Sequence, residues 1–146
     1  MCNFLPDRLE DLIVSHEIVP AVNQIELHPL CQQQALRSLM EEHGIVPMAW
    51  APFAEGQEGL FQDSVLTGIG EKYGKTSAQV VLRWLRQSDI VAIPKSIHAQ
   101  RIRQNFDVDD FTLSNEDLAR IAAMDRKRPL ILDITCLDEV RRLHGI

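Results

Sequence analysis

The chain has 146 residues, of which 45% are hydrophobic and 25% charged, and its net charge is −6. That size suits one globular domain, the composition is that of a soluble chain, and the acidic balance excludes general nucleic-acid binding. No run reaches the roughly 18 apolar residues a membrane-spanning helix requires, and the N-terminus MCNFLPDRLE lacks the basic and apolar regions of a signal peptide. Cys2, Cys31 and Cys136 are odd in number and widely spaced, so no disulfide framework is expected and a reducing, cytoplasmic setting is.

In chain order, Pro6 and Asp7 open a predicted helix with Leu9, Leu12 and Ile13 on one face. A strand is expected over 20–26, ending at His28-Pro29. A second helix over about 32–43 carries Leu36, Leu39, Met40 and His43 in register, with Gly44 as its stop. The next strand, 45–50, ends at Pro52. The stretch 54–60 holds Gly56 and Gly59 without a clear period and reads as a loop. Helices are expected over about 63–71 and 77–87, the second capped by Thr76 and burying Val80, Val81, Trp84 and Leu85. A strand over 90–93 stops at Pro94, and a short helix runs over about 98–105.

Further on, Ser114 and Asp117 have capping-box spacing, and Leu113 and Leu118 sit as a hydrophobic staple would place them. The run Asp125-Arg126-Lys127-Arg128 reads as a solvated loop, 126–146 as a tail, and 137–143 as a terminal helix. Strands alternating with helices indicate an α/β fold with parallel strands. Neither Gly-x-Gly-x-x-Gly nor a Walker loop is present, so a Rossmann or P-loop domain is disfavoured. Polar residues gather at the strand C-termini: Gln24 and Glu26, then Trp50, then Lys95 and Ser96. That is where (β/α) barrels build their sites.

Between Lys95 and Arg103 there are three cations and no acid. Lys95 and Ser96 would stand at a helix start, whose free N–H groups and partial positive charge suit a phosphate. Arg101, Gln104 and Asn105 share one helix face through i, i+3 and i+4 spacing, and that face could hold an adenosine phosphate and the adenine edge. A solvated basic helix explains the spacing equally well. Gln24 and Asn3 offer amides with both donor and acceptor, and Trp50 a flat apolar face; strand-end polarity and core packing are the plain alternatives.

The string Ile-Pro-Lys-Ser at 93–96, followed by Arg101, Gln104 and Asn105, resembles the 2′-phosphate and adenine motif of NADPH-dependent aldo-keto reductases. Asn3-Phe4 resembles the end of that family's Gly-Val-Ser-Asn-Phe motif. The run 24–29 resembles its Gln-x-Glu-x-His-Pro motif, and Trp50-Ala51-Pro52 its aromatic-Ser-Pro turn. The four motifs lie in family order over residues 2–125, most like bacterial reductases of the diketogluconate and methylglyoxal type.

The resemblance implies the C-terminal portion of a (β/α)8 TIM barrel, incomplete here and forming one partial domain over 1–146. It implies NADPH as cofactor, with Asn3 and Gln24 on the nicotinamide carboxamide, Trp50 stacked on its ring, and Lys95, Ser96, Arg101, Gln104 and Asn105 on the adenosine end. The complete protein would reduce small aldehydes or ketones. The family's catalytic Tyr, Lys, Asp and His precede the Asn3 motif, so no catalytic residue is expected in this chain and no metal site. Tyr73, the single tyrosine, falls in the turn between two outer helices. Met1 stands where the family usually has Val, which suggests a piece of a longer reading frame. A non-catalytic nucleotide-binding module and an inactive truncated chain are the alternative readings. Cys2 replaces the family's Ser before Asn3, and Ala51 the Ser after the aromatic residue. Unpaired strand edges lead us to expect self-association or pairing with a missing N-terminal half.

Overall fold

A computed structural model describes residues 1–145. Its centre is a three-stranded parallel sheet of β1 (Val22–Glu26), β2 (Val46–Trp50) and β3 (Val91–Ala92), in that order. Val22 pairs with Val46 and Glu26 with Trp50, so the C-terminal ends of β1 and β2 lie level. β3 is short: Met48 faces Val91 and Ala49 faces Ala92. The Ile93 N–H still reaches the Ala49 carbonyl at 3.3 Å before Pro94, which has no N–H to donate, interrupts the ladder.

The chain start adds a fragment of pairing on the other side. Cys2 bridges Gln24 in parallel; the Gln24 N–H donates to Met1 O at 3.0 Å and the Asn3 N–H to Gln24 O at 2.8 Å. Among the described residues there are seven α-helices: α1 (Pro6–Ser15), α2 (Gln34–Glu42), α3 (Ser64–Tyr73), α4 (Ser77–Gln87), α5 (Ala99–Phe106), α6 (Asn115–Ala122) and α7 (Leu137–His144). α2 and α3–α4 occupy the connections between successive parallel strands, as a βαβ pattern requires.

The apolar stripes meet in one core. Leu9 from α1, Met40 from α2, Leu66 and Ile69 from α3, Val80 and Leu85 from α4 and Ile121 from α6 are all fully buried against Ile25 and Ala49 of the sheet. Burial of such side chains contributes about 1.5–3 kcal/mol each. Caps set the helix ends. Asp63 accepts from the N–H groups of Val65 and Leu66, and both Thr76–Gln79 and Ser114–Asp117 form complete capping boxes. The α3–α4 turn depends on glycine twice. Gly74 lies at φ 65°, and a Cβ on Gly70 would collide with the Lys75 carbonyl oxygen.

The sequence expectations differ from the structure in three places. α2 starts at Gln34 rather than near residue 32, because Gln33 is left-handed at φ 47° and the Gln32 amide donates to the carbonyls of Pro29 and Ile121. The stretch read as a loop over 54–60 is wound into 3-10 turns over Ala54–Gln62, broken by positive φ at Glu55, Gly56, Glu58 and Gly59 and by extended backbone at Gln57. The run 125–128 is exposed from Arg126 to Arg128, as a solvated loop is, but its first two residues are anchored to the body of the fold. Asp125 accepts from Gln32 N at 3.1 Å, Arg126 N donates to Leu30 O at 3.0 Å, and the Arg126 guanidinium reaches Glu58 at 2.9 Å. No helix of the described residues is long and apolar enough to cross a membrane.

Candidate cofactor site

The C-terminal ends of β1 and β2 open into a cavity of about 820 Å³ whose lining includes Asn3, Glu26, Trp50 and tail residues Leu132 and Ile134. Backbone pairing puts these residues there. Asn3 is held beside Gln24 by its own N–H and sits left-handed at φ 57°, a conformation asparagine tolerates better than most residues. Its side-chain oxygen accepts the Trp50 indole N–H at 2.7 Å. The ring is therefore fixed at its edge while the residue remains part of the cavity wall. Asn23, fully buried, braces the same corner by exchanging hydrogen bonds with the backbone of Phe4 at 3.0 and 3.3 Å.

Gln24 is half-buried on β1, and among the described residues its amide side chain makes no hydrogen bond; it does not line the cavity. Lys95, exposed, and Ser96, half-buried, follow β3. Ser96 Oγ accepts the His98 N–H at 3.2 Å, just ahead of α5. The α5 N-terminus has no side-chain cap, so its first N–H groups stay free for another acceptor. Arg101 is exposed, while Gln104 and Asn105 are half-buried. Asn105 lines a second cavity of about 540 Å³ with Pro94 and Phe106; Lys95, Ser96 and Arg101 line neither cavity. The structure thus brings Asn3 and Trp50 into contact and leaves the 95–105 group as a separate exposed cluster after β3.

The Aldo/keto reductase family model matches residues 1–126. Over 128 residues the chain is 50% identical to an aldo-keto reductase of Mycolicibacterium smegmatis, covering 88% of this chain and 46% of the relative. The chain belongs to the aldo/keto reductase family. It is also 44% identical to the methylglyoxal reductase DkgA of Escherichia coli over 130 residues, covering 89% of this chain and 47% of DkgA. Among solved structures, a Gox0644 mutant in complex with NADPH superposes with a TM-score of 0.82 at 42% identity, over 86% of this chain and 46% of the other. The aldo-keto reductase MGS-M4 from a deep-sea metagenome gives 0.89 at 36% identity, over 94% and 51%. The chain spans about half the length of the relatives it matches.

Within this family member, the residue that sequence reading undervalued is Glu26. Read as strand-end polarity, it is in fact 3% exposed and saturated with donors. Oε1 accepts from Leu130 N at 2.7 Å and Ile131 N at 3.2 Å, and Oε2 from Leu132 N at 3.0 Å. The buried His28 ring adds Nε2 at 3.1 Å, while its Nδ1 finds no partner. Burial pushes the Glu26 carboxyl up, but the hydrogen bonds from His28 and the tail outweigh it and hold it below the ordinary value. A carboxylate in a strand with buried neighbours was the available signal, since a buried charge demands partners.

Two further groups resemble chemistry without making a site. Tyr73 OH donates to Asp117 Oδ2 at 2.6 Å and Lys72 Nζ to the same oxygen at 2.8 Å, at the start of α6. Burial raises Asp117, but Lys72, Tyr73 and Ser114 together draw it well below the usual carboxylate range. Neither Tyr73 nor Asp117 lines either cavity, so this network ties α3 to α6. Burial, with the nearby charges of Glu26 and Asp125, pushes the Cys31 thiol up to about 12, which leaves it unreactive at neutral pH. Among the described residues no group of three or more His, Cys, Asp or Glu side chains is placed to hold a metal ion.

Proposed function

We propose that this chain is the cofactor-binding portion of a cytoplasmic NADPH-dependent aldo-keto reductase. Its complete (β/α)8 barrel reduces small aldehydes or ketones to alcohols. The observation that carries the reading is the Trp50–Asn3 hydrogen bond of 2.7 Å at the mouth of the cavity formed by the strand ends. The residues fit the cofactor. Trp50 offers a ring already fixed in plane, and the Asn3 amide keeps its N–H donors for a carboxamide after its oxygen has accepted the indole. The Gln24 amide next to it in the ladder has both donor and acceptor free.

When bound, NADPH supplies the hydride that reduces the carbonyl. The chain's own part is to bind and orient. Trp50 would cover one face of the nicotinamide and Asn3 would set its rotation, with Gln24, beside Asn3 but outside the cavity lining, as the second amide; Leu132 and Ile134 would supply an apolar wall. Lys95 and Arg101 would offer positive charge, and the uncapped start of α5 its N–H groups, to the adenosine phosphate. Ala51 adds no hydroxyl near the pyrophosphate, and Cys2 offers a weaker donor than serine beside Asn3.

For the chain of 146 residues we expect binding without turnover. Its single tyrosine, Tyr73, is committed to Asp117 at 2.6 Å. The exposed β3 edge, with Val91 44% and Ile93 47% exposed, favours association with a second copy or with a complementary half carrying the remaining strands. Fluorescence titration with NADPH and NADH tests the reading. Saturable binding that prefers NADPH and is lost in Lys95→Ala, Arg101→Ala is expected. Folded protein that binds neither nucleotide would refute it.

A further inference from the structure

We infer that Glu26 is a positioning residue for the cofactor cavity, acting by clasping the C-terminal tail to the end of β1. Three consecutive N–H groups, those of Leu130, Ile131 and Leu132, converge on its two carboxylate oxygens at 2.7 to 3.3 Å. These bonds join residues 104 to 106 positions apart. Two further ties hold the same corner: the Gln33 side chain donates to Glu26 O at 2.6 Å, and His28 bonds Oε1.

The placement gives the clasp its consequence. Glu26 is the register partner of Trp50, so the tail hangs from the residue beside the stacking ring. Leu132 at the end of the clasp and Ile134 after it are cavity wall, and so are Lys127 and Arg128 before it. One buried carboxylate therefore fixes the distance between the Trp50 wall and the tail wall. Ahead of the clasp Arg126 is tied to Leu30 O and Glu58, but beyond it the tail has little to hold it: α7 buries no residue, and Leu137 is 70% exposed. Charge-assisted bonds to backbone N–H groups are roughly twice as strong as neutral ones, and here solvent is excluded. Releasing them frees the wall and leaves the core of α3 and α4 in place.

The inference rests on the proposed function only in naming NADPH as the molecule that feels the wall. Hydrogen exchange of the ligand-free chain tests the clasp by itself. In Glu26→Gln, the amides of Leu130–Leu132 are expected to exchange at least about tenfold faster, with Leu66, Ile69 and Val81 still protected. NADPH affinity is then expected to fall about fivefold.

Unchanged exchange at 130–132, or a uniform loss of protection that includes α3 and α4, would overturn the clasp. Faster tail exchange with unchanged NADPH affinity would overturn the positioning role. An unmodified chain that does not bind NADPH would defeat the functional reading, with the clasp still decided by exchange. Should Glu26→Gln fail to fold, the unmodified chain supplies the measurement. The three amide protons should titrate with the Glu26 carboxyl carbon, and titration with another group would sink the proposal. The groups beside that carboxylate are His28, bonded to Oε1, and Cys31, whose thiol feels its charge, with Asp125, Lys127, Arg128 and Asp133 on the cavity wall.

Discussion

The strand-end cavity and the segment 95–105 carry equally suggestive residues but are built in opposite ways. Around the cavity, Asn3, Asn23, Glu26 and Trp50 are tied by side-chain hydrogen bonds to strands and tail that are distant in sequence. Across 95–105 the cations are exposed, and α5 buries no residue. The first region is organised before any ligand arrives and depends on the fold. The second is a set of exposed charges without protein partners among the described residues, so we expect it to contribute to affinity and little to stability.

That contrast is open to direct attack, and Glu26 should give the largest response. Glu26→Ala leaves three half-buried N–H groups and the buried His28 Nε2 without their partner, and we expect a loss of about 3 kcal/mol in urea unfolding. A loss below about 1 kcal/mol would mean that water replaces the carboxylate. The paired change Lys95→Ala, Arg101→Ala should leave the urea midpoint where it is and weaken NADPH at least about tenfold, since each contact to a charged group is worth about 1.5–3 kcal/mol. A large shift in the midpoint would show that the cluster is structural.

Acid should separate the regions in the same order. Glu26 and Asp117 both have folded pKa values below their ordinary ones. Their stabilisation is therefore complete above the ordinary carboxylate range and is lost as pH falls below it. Acid unfolding monitored at the tail amides should accordingly precede loss of the central helices. The smallest effect belongs to Trp50→Phe, which keeps an aromatic face and removes the indole donor to Asn3. We expect about 1 kcal/mol in stability and a few-fold weaker NADPH binding. Salt provides a complementary check. Because Lys95 and Arg101 are exposed, NADPH affinity should fall between low and physiological ionic strength, where the Debye length is about 8 Å.

Local chemistry was readable where it is written in adjacent residues. Thr76 and Gln79, and Ser114 and Asp117, form their boxes as spaced, and the three parallel strands lie where their apolar runs stand. Long-range chemistry was not. Glu26 meets partners in a tail more than a hundred residues away, and no period in the sequence announces that meeting. The late start of α2 has the same origin, since Gln32 is occupied by the end of α6. The anchoring of Arg126 within the exposed run depends on Leu30 and Glu58, which local charge patterning treats as unrelated to a basic loop. The resemblance named Asn3 and Trp50 separately; that each holds the other emerged only from the register of the strands.

The most direct test of the central claim, that the cavity at Trp50 and the cluster at 95–105 form one NADPH site, is an amide and indole NMR titration with NADPH. The account requires the Trp50 indole signal and the Lys95 and Ser96 amides to move together with a single dissociation constant. Movement at 95–96 with the Trp50 indole unmoved at saturation would contradict it, reducing the site to a phosphate-binding patch.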